Sequence, residues 1–133
     1  MNGRFFDSNI ILYLLDDGRR RDVAVRLLTE GGVISVQVLN EVLVNCRRKA
    51  GMSWEEAGEF LDGVRGICKV IGLTSRIHDI GRAVGERYQL QVYDAMIVAA
   101  ALSGGCDVLL SEDMQNGLVV EGALTIRNPF AGP

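Results

Sequence analysis

The chain has 133 residues, 48% hydrophobic and 23% charged, with 2 prolines and a formal net charge of -3. That length fits one domain, and the composition is too apolar and too weakly charged for a disordered chain. The acidic balance excludes nucleic-acid binding by blanket electrostatics, so any contact with a polyanion must be local.

No stretch approaches the ~20 consecutive apolar residues of a membrane span; the longest apolar runs are 10–15 and 95–102. Met1-Asn2-Gly3-Arg4 leads straight into Phe5-Phe6-Asp7 without the apolar core of a signal peptide. The expectation is a single domain over residues 1–133, cytoplasmic and without a membrane partner. Cys46, Cys68 and Cys106 are odd in number, far apart and in apolar surroundings, which fits neither a disulfide framework nor a zinc site. They read as small core hydrophobes kept reduced.

Hydrophobic period divides the chain into short strands and helices. Residues 4–6 form a strand, Asp7-Ser8-Asn9 is a cluster of N-cap residues, and 10–15 continue as helix. A second helix over 19–29 has Val23, Leu27 and Leu28 at helical spacing and ends at Gly31-Gly32. A strand at 33–35 precedes a helix from 36 to about 49. Ser53 and Glu56 have the capping-box spacing and open a helix through about 64. After a strand at 69–71, the helix 74–88 turns Ile77, Ile80, Val84 and Tyr88 inward. A further helix over 93–102 opens at Asp94, which reads as its N-cap, and stops at Gly104-Gly105. Residues 107–110 form the fourth strand, and 124–126 add a fifth at the edge. Short strands separated by one or two helices describe an α/β fold with a parallel sheet covered on both faces.

In such sheets ligands bind beyond the carboxyl ends of the strands. Asp7 directly follows the first strand, and Asp113 follows the fourth by way of Ser111 and Glu112. Taken singly, each is explained as a cap or turn former. Two more acids lie on helices that read as buried. Glu41 shares one face with Gln37 and Asn45 at spacings of four residues, and Asp94 precedes an all-apolar run. A carboxylate committed to a core helix is costly without a cationic partner, and none stands near these acids. The single His, His78, lies on a surface helix. Two carboxylates ~5 Å apart at an effective dielectric of ~20 repel by roughly 3 kcal/mol, so converging acids predict raised pKa values or a bound divalent cation. Hard carboxylate oxygens without His or Cys select Mg²⁺ or Mn²⁺.

Phe5-Phe6-Asp7-Ser8-Asn9, Glu41 within Val38-Leu39-Asn40-Glu41, Tyr93-Asp94-Ala95-Met96-Ile97 and Leu109-Leu110-Ser111-Glu112-Asp113 stand in this order across essentially the whole chain. This ordered set resembles the PIN domain family, and most strongly its stand-alone toxin ribonucleases of VapC type. The resemblance implies a three-layer α/β/α sandwich whose acids bind Mg²⁺ or Mn²⁺ and hydrolyse RNA, leaving a 5′-phosphate and a 3′-hydroxyl. It assigns Asp7, Glu41, Asp94 and Asp113 to the four acidic positions, with Asp7 and Asp94 as principal metal ligands. Asn9 and Ser111 take supporting positions, and Glu112 is expected beside them. Glu112 adjoins Asp113 and either acid could face the metal; Asp113 is preferred because it stands two residues beyond Ser111. The resemblance also implies a cognate antitoxin protein, and the apolar segments 10–15 and around Trp54 and Phe60 make a homodimer the expected state. A catalytically silent PIN fold that binds RNA or protein is the alternative; such a domain usually loses some of its acids. A receiver domain would need an Asp ending its central strand, where Lys69-Val70-Ile71-Gly72 supplies none, and a haloacid-dehalogenase-type phosphatase would need Asp-x-Asp where Asp7-Ser8-Asn9 stands.

Basic residues form two runs. Arg47-Arg48-Lys49 ends a helix, where the macrodipole favours cations, and Arg48 lies seven residues beyond Glu41, on the same face and roughly 10 Å along. Arg19-Arg20-Arg21 opens a helix, where the dipole disfavours them, which points to RNA or partner contact. Arg48, Arg19, Arg20 and Arg21 are therefore the candidate substrate contacts, and Trp54 and Tyr13 the candidates to stack on bases.

Overall fold

The computed structural model describes residues 3–131, and in it the first two strands run into helices through a capping side chain. β1 (Gly3–Phe6) ends at Asp7, whose carboxylate accepts from the Ser8 N–H at 2.7 Å to open α1 (Ser8–Leu12). A 3₁₀ turn (Tyr13–Leu15) and α2 (Arg19–Thr29) follow. β2 (Gly32–Ser35) ends on Ser35, which caps α3 (Val36–Arg48) by accepting from Val38 N–H. Ser53 and Glu56 form a reciprocal capping box at the head of α4 (Trp54–Ile67), and β3 (Cys68–Ile71) leads to α5 (Ser75–Tyr88), capped by Thr74. Then come α6 (Val92–Ser103), β4 (Cys106–Leu110), β5 (Val119–Val120) and β6 (Leu124–Arg127). Residues 1–2 and 132–133 of the expected 1–133 domain lie outside the described residues.

The six strands make one sheet in the order β3-β2-β1-β4-β6-β5, parallel throughout except for β5 against β6. Helices cover both faces, giving the predicted three-layer α/β/α sandwich. Strands covered on both sides carry continuous apolar runs rather than alternation. Accordingly Phe5, Phe6, Ile34 and Leu109 have no exposed surface. α6 is the most deeply buried helix, with five consecutive residues, Ile97 through Ala101, inside the core. Cys46, Cys68 and Cys106 are buried free thiols, and burial pushes the last two up to a pKa of about 11.

The chain runs from β1 outward through β2 to β3, then returns to the other side of β1 to form β4. The β1/β4 junction is thus the point where strand order reverses, and at that point the connections leave a crevice beyond the strand ends. Main-chain pairing continues into the crevice: Asp7 N–H donates to Leu110 O at 3.0 Å, and Ser111 N–H to Arg127 O at 3.0 Å.

Three details differ from the sequence reading. The helix expected over 10–15 stops at Leu12, and the remaining residues tighten into a 3₁₀ turn. Within the segment expected to be apolar surface, Ile10 and Ile11 are fully buried and Leu15 is 40% exposed; Trp54 is 66% exposed, and Phe60 is partly buried. Gly32 belongs to β2 rather than to a helix stop, because the Phe6 ring lies against it: a Cβ at this position would sit 2.3 Å from Phe6 Cε2. Finally, residues 124–127 are not the sheet edge. They pair with β4, and the two-residue antiparallel β5, too short to leave a periodic signal, closes that side.

Candidate active site

Four elements deliver one acid each to the crevice. Asp7 follows β1 and caps α1; Glu41 lies in the middle of α3; Asp94 sits in the first turn of α6; Asp113 lies in the turn after β4. All four line one cleft of about 610 Å³, together with Gln37 and Tyr93 and without any Lys, Arg or His. Glu112, the neighbour of Asp113, is absent from that lining. Asp94 is not the N-cap expected of it. Gln91 occupies that position without a side-chain cap bond, and Asp94 stands three residues further on, where its charge still meets the positive end of the helix.

Asp7 anchors the hydrogen-bond network. It is buried, at 5% exposure, yet both carboxylate oxygens are engaged. Oδ1 accepts from Ser8 N–H at 2.7 Å, and Oδ2 accepts from the Ser111 hydroxyl at 2.7 Å and from Asn9 Nδ2 at 3.4 Å. Asn9 uses the same amide to reach Asp113 Oδ2 at 3.1 Å, and its Oδ1 accepts the Glu112 N–H at 3.3 Å. Ser111 Oγ in turn accepts the Asp113 N–H at 3.2 Å. On the opposite wall Gln37 Nε2 donates to Glu41 Oε2 at 3.1 Å and to the Tyr93 carbonyl at 3.0 Å, tying α3 to the start of α6. Asn45 donates to the Glu41 carbonyl at 2.9 Å. Among the described residues no buried side-chain N or O lacks a partner.

The electrostatics follow from this packing. Burial pushes the Asp7 carboxyl up to about 6, against the opposing pull of its Ser111 and Ser8 hydrogen bonds, and the negative charges of Glu41 and Asp94 push the same way as burial. Asp94 is raised by burial first, then by Glu41 and Asp113. The acids therefore sense one another, and the cleft is a place where a cation is favoured and an uncompensated second negative charge is not.

The predicted contacts outside the cleft divide. Arg20 donates through Nη2 to Glu112 Oε2 at 2.7 Å and lies over the rings of Tyr13 and Phe130, so it is not a free cation for substrate. Tyr13 donates its hydroxyl to Glu112 and packs edge-on against Phe130, which leaves it a structural ring. Arg48, Arg19 and Arg21 are exposed and make no ion pair among the described residues, and none of them lines the cleft. Arg47 stacks over Trp54 at 4.9 Å. Sequence reasoning passed over Gln37 as a site residue although its four-residue spacing from Glu41 was visible. It missed the tie between Glu112, Tyr13 and Arg20, because nothing local pairs residues 92 or 99 positions apart.

By sequence alone the chain matches no curated protein. Solved structures with the same shape do exist. A toxin-antitoxin complex from Klebsiella pneumoniae has 22% identity, covers 96% of this chain and 98% of its own, and superposes with a TM-score of 0.73. DNA-bound VapBC from Salmonella typhimurium has 19% identity over 97% of this chain and 99% of its own, with a TM-score of 0.70. VapC20 from Mycobacterium tuberculosis, a toxin that cleaves the sarcin-ricin loop, has 20% identity over 80% and 86% of the two chains, with a TM-score of 0.63. At these identities the likeness carries the fold. The PIN domain family model matches residues 4–115, a span that runs from β1 through the turn after β4 and takes in all four acids. By that match the chain belongs to the PIN domain family.

Proposed function

We propose that the protein is a Mg²⁺- or Mn²⁺-dependent endoribonuclease, the toxin of a toxin-antitoxin pair, with Asp7, Glu41, Asp94 and Asp113 as its catalytic acids. The observation that carries this reading is the gathering of four carboxylates from four separate elements around one cation-free cleft at the strand-order reversal. Four unrelated caps would have no reason to converge. A silent binding module fits less well, since nothing would maintain the mutual repulsion of the set.

The donors fit a hard divalent ion. The polar lining offers oxygen donors from carboxylates, side-chain amides and hydroxyls and no His or Cys, and the raised Asp7 and Asp94 carboxyls are the groups a cation would restore to their charged form. Among the described residues no three His, Cys, Asp or Glu side chains are grouped to hold an ion directly. In this arrangement the carboxylates of Asp7, Asp113 and Glu41 accept from Ser8, Ser111, Asn9 and Gln37.

Asp7 and Asp94 are the residues that would hold the ion, with Glu41 and Asp113 reaching it directly or through water. When bound it supplies polarisation of a phosphate oxygen and a more acidic water. Ser111 and Ser8 N–H keep Asp7 aimed and biased toward its charged form. Gln37 holds Glu41 against α6, where the carboxylate can take a proton from the attacking water. Arg48, Arg19 and Arg21 are the exposed cations available for the flanking phosphates. The likeness to VapBC assemblies supports an antitoxin partner; a second copy of the chain remains part of the proposal. Among the described residues no helix is long and apolar enough to cross a membrane.

The test is cleavage of total RNA by the purified protein with Mg²⁺ or Mn²⁺, followed by sequencing of fragment 5′ ends. Discrete ends that vanish in EDTA and in Asp7→Asn are expected. Identical fragments from the parent and from Asp7→Asn would overturn the assignment. Growth arrest on expressing the chain alone, relieved by a co-purifying neighbouring gene product, is the expected sign of the toxin role; harmless expression with no co-purifying protein counts against it.

A further inference from the structure

We propose that Glu112, gripped by Tyr13 and Arg20, is a positioning residue that sets Asp113 at the acid cleft; this rests on the nuclease reading above. The turn after β4 has two fixed ends, Ser111 with no exposed surface and Met114 at 7% exposure. Between them Glu112 is half-buried and Asp113 exposed. Two ties hold Asp113 from within the cleft: its N–H to Ser111 Oγ at 3.2 Å and Asn9 Nδ2 to its Oδ2 at 3.1 Å. Both partners also serve Asp7, so any ion that reorganises Asp7 disturbs them together.

The Glu112 side chain reaches the other way. Oε1 accepts the Tyr13 hydroxyl, and Oε2 accepts from Arg20 Nη2 at 2.7 Å and Nε at 3.2 Å. Arg20 is itself held at 5.5 Å over the Tyr13 ring and 5.4 Å over that of Phe130, which is buried and edge-on to Tyr13. A planar guanidinium stacked on one side and forked onto a carboxylate on the other has its geometry fixed. The result is an anchor outside the cleft, on α2 and the 3₁₀ turn, for a turn that the sheet no longer holds. Its value is geometric: an exposed ion pair adds little to global stability, whereas the partners that orient a metal's carboxylates set its affinity.

The experiment compares the parent with Arg20→Ala, Arg20→Lys and Tyr13→Phe, alone and in an Asp113→Asn background. Mn²⁺ binding is read by electron paramagnetic resonance, amide hydrogen exchange over residues 111–113, and RNA cleavage as separate kcat and KM. Arg20→Ala is expected to weaken Mn²⁺ binding and lower kcat by about tenfold or more, with KM and Tm nearly unchanged and faster exchange confined to the turn. Arg20→Lys should recover part of the loss and Tyr13→Phe should show a smaller one. In the Asp113→Asn background Arg20→Ala should add nothing. If instead the loss persists in that background, or falls on KM with a weaker salt dependence, Arg20 is an RNA contact and the proposal fails. Unaltered Mn²⁺ binding and exchange in Arg20→Ala overturn it equally. A parent that cleaves no RNA defeats the nuclease reading, while Mn²⁺ binding and exchange still decide the clamp.

Discussion

Ser111 and Asp7, 104 positions apart in sequence, meet as a buried pair in which the serine hydroxyl donates to Asp7 Oδ2 at 2.7 Å. The parallel pairing of β1 with β4 places their carboxyl ends side by side, and the bond is the chemical seam across the strand-order reversal. Because the hydroxyl favours the ionised carboxylate, Ser111→Ala should raise the Asp7 pKa further. Above pH 7, without metal, it should cost about 1.5–3 kcal/mol, the usual worth of a hydrogen bond to a charged group. Near pH 4, where Asp7 is protonated, the cost should shrink. Urea melts at the two pH values measure it, and an equal loss at both would mean the serine acts through packing alone.

Asp7→Asn should stabilise the metal-free protein while abolishing cleavage. Asparagine caps a helix about as well as aspartate, so α1 keeps its first hydrogen bond. What disappears is a buried charge whose pKa stands at about 6 instead of 3.8, a difference worth up to roughly 3 kcal/mol. A urea midpoint below that of the parent in EDTA at pH 8 would show that the carboxylate is a structural asset and not a charge awaiting a cation.

The pH dependence has a definite sign. A carboxyl whose native pKa is raised binds its proton more tightly when folded. Stability from Asp7 is therefore full below about pH 4 and lost as pH rises through 6, and Asp94 acts in the same direction. Glu112, lowered by Tyr13 and Arg20, works oppositely and only at more acid pH. In EDTA the melting temperature should fall between pH 5 and 7.5, and saturating Mg²⁺ should remove that fall. Apparent Mg²⁺ affinity should weaken as pH drops through 6. A flat profile in EDTA would contradict the burial of Asp7 as a charged group.

Much of this was legible in the chain. Cap residues mark the strand-to-helix passage at Asp7 and the head of α4 at Ser53, because capping is a local chemistry written within four residues. The order of the acids pointed to one cleft because strand ends in a parallel sheet share an edge. What stayed hidden was set by long-range packing. Asp94 reads as a cap because nothing in Gln91-Val92-Tyr93 announces an earlier helix start. Arg20 reads as a candidate substrate contact because its partner Glu112 is 92 residues away. The glycine pair at 31–32 reads as a helix stop, although only Gly31, with φ of +80°, plays a turn role.

Gly32 gives a test of the fold independent of the site. Its backbone lies beneath Phe6, and a Cβ would stand 2.3 Å from the ring and 2.9 Å from the Arg4 carbonyl oxygen. Phe6 has no exposed surface, so its ring could move only against close-packed neighbours, and Gly32→Ala should destabilise the protein by about 1–3 kcal/mol. Gly72→Ala, where a Cβ meets nothing within 4 Å, is the control and should be nearly neutral. Similar melts for the two variants would mean that β1 and β2 are not packed this closely.

Asp94→Asn separates a metal ligand from a helix-dipole residue. Asp94 sits in the first turn of α6 and not at its cap, so its charge contributes about 0.3–1 kcal/mol through the macrodipole, and asparagine forfeits that without any compensating cap bond. Against this stands relief from burial and from the charges of Glu41 and Asp113. The two effects oppose one another, so thermal stability in EDTA does not decide the role. The Mg²⁺ response does. An ion that binds only the native state raises the melting temperature in proportion to the logarithm of its concentration over Kd. If Asp94 holds it, the parent should gain several degrees at millimolar Mg²⁺, the variant little, and cleavage should vanish with the gain. Glu41→Gln, on the opposite wall, should lose cleavage while keeping part of the Mg²⁺ response. An Asp94→Asn variant with the full Mg²⁺ shift would place the ion elsewhere in the cleft and leave Asp94 as a dipole residue.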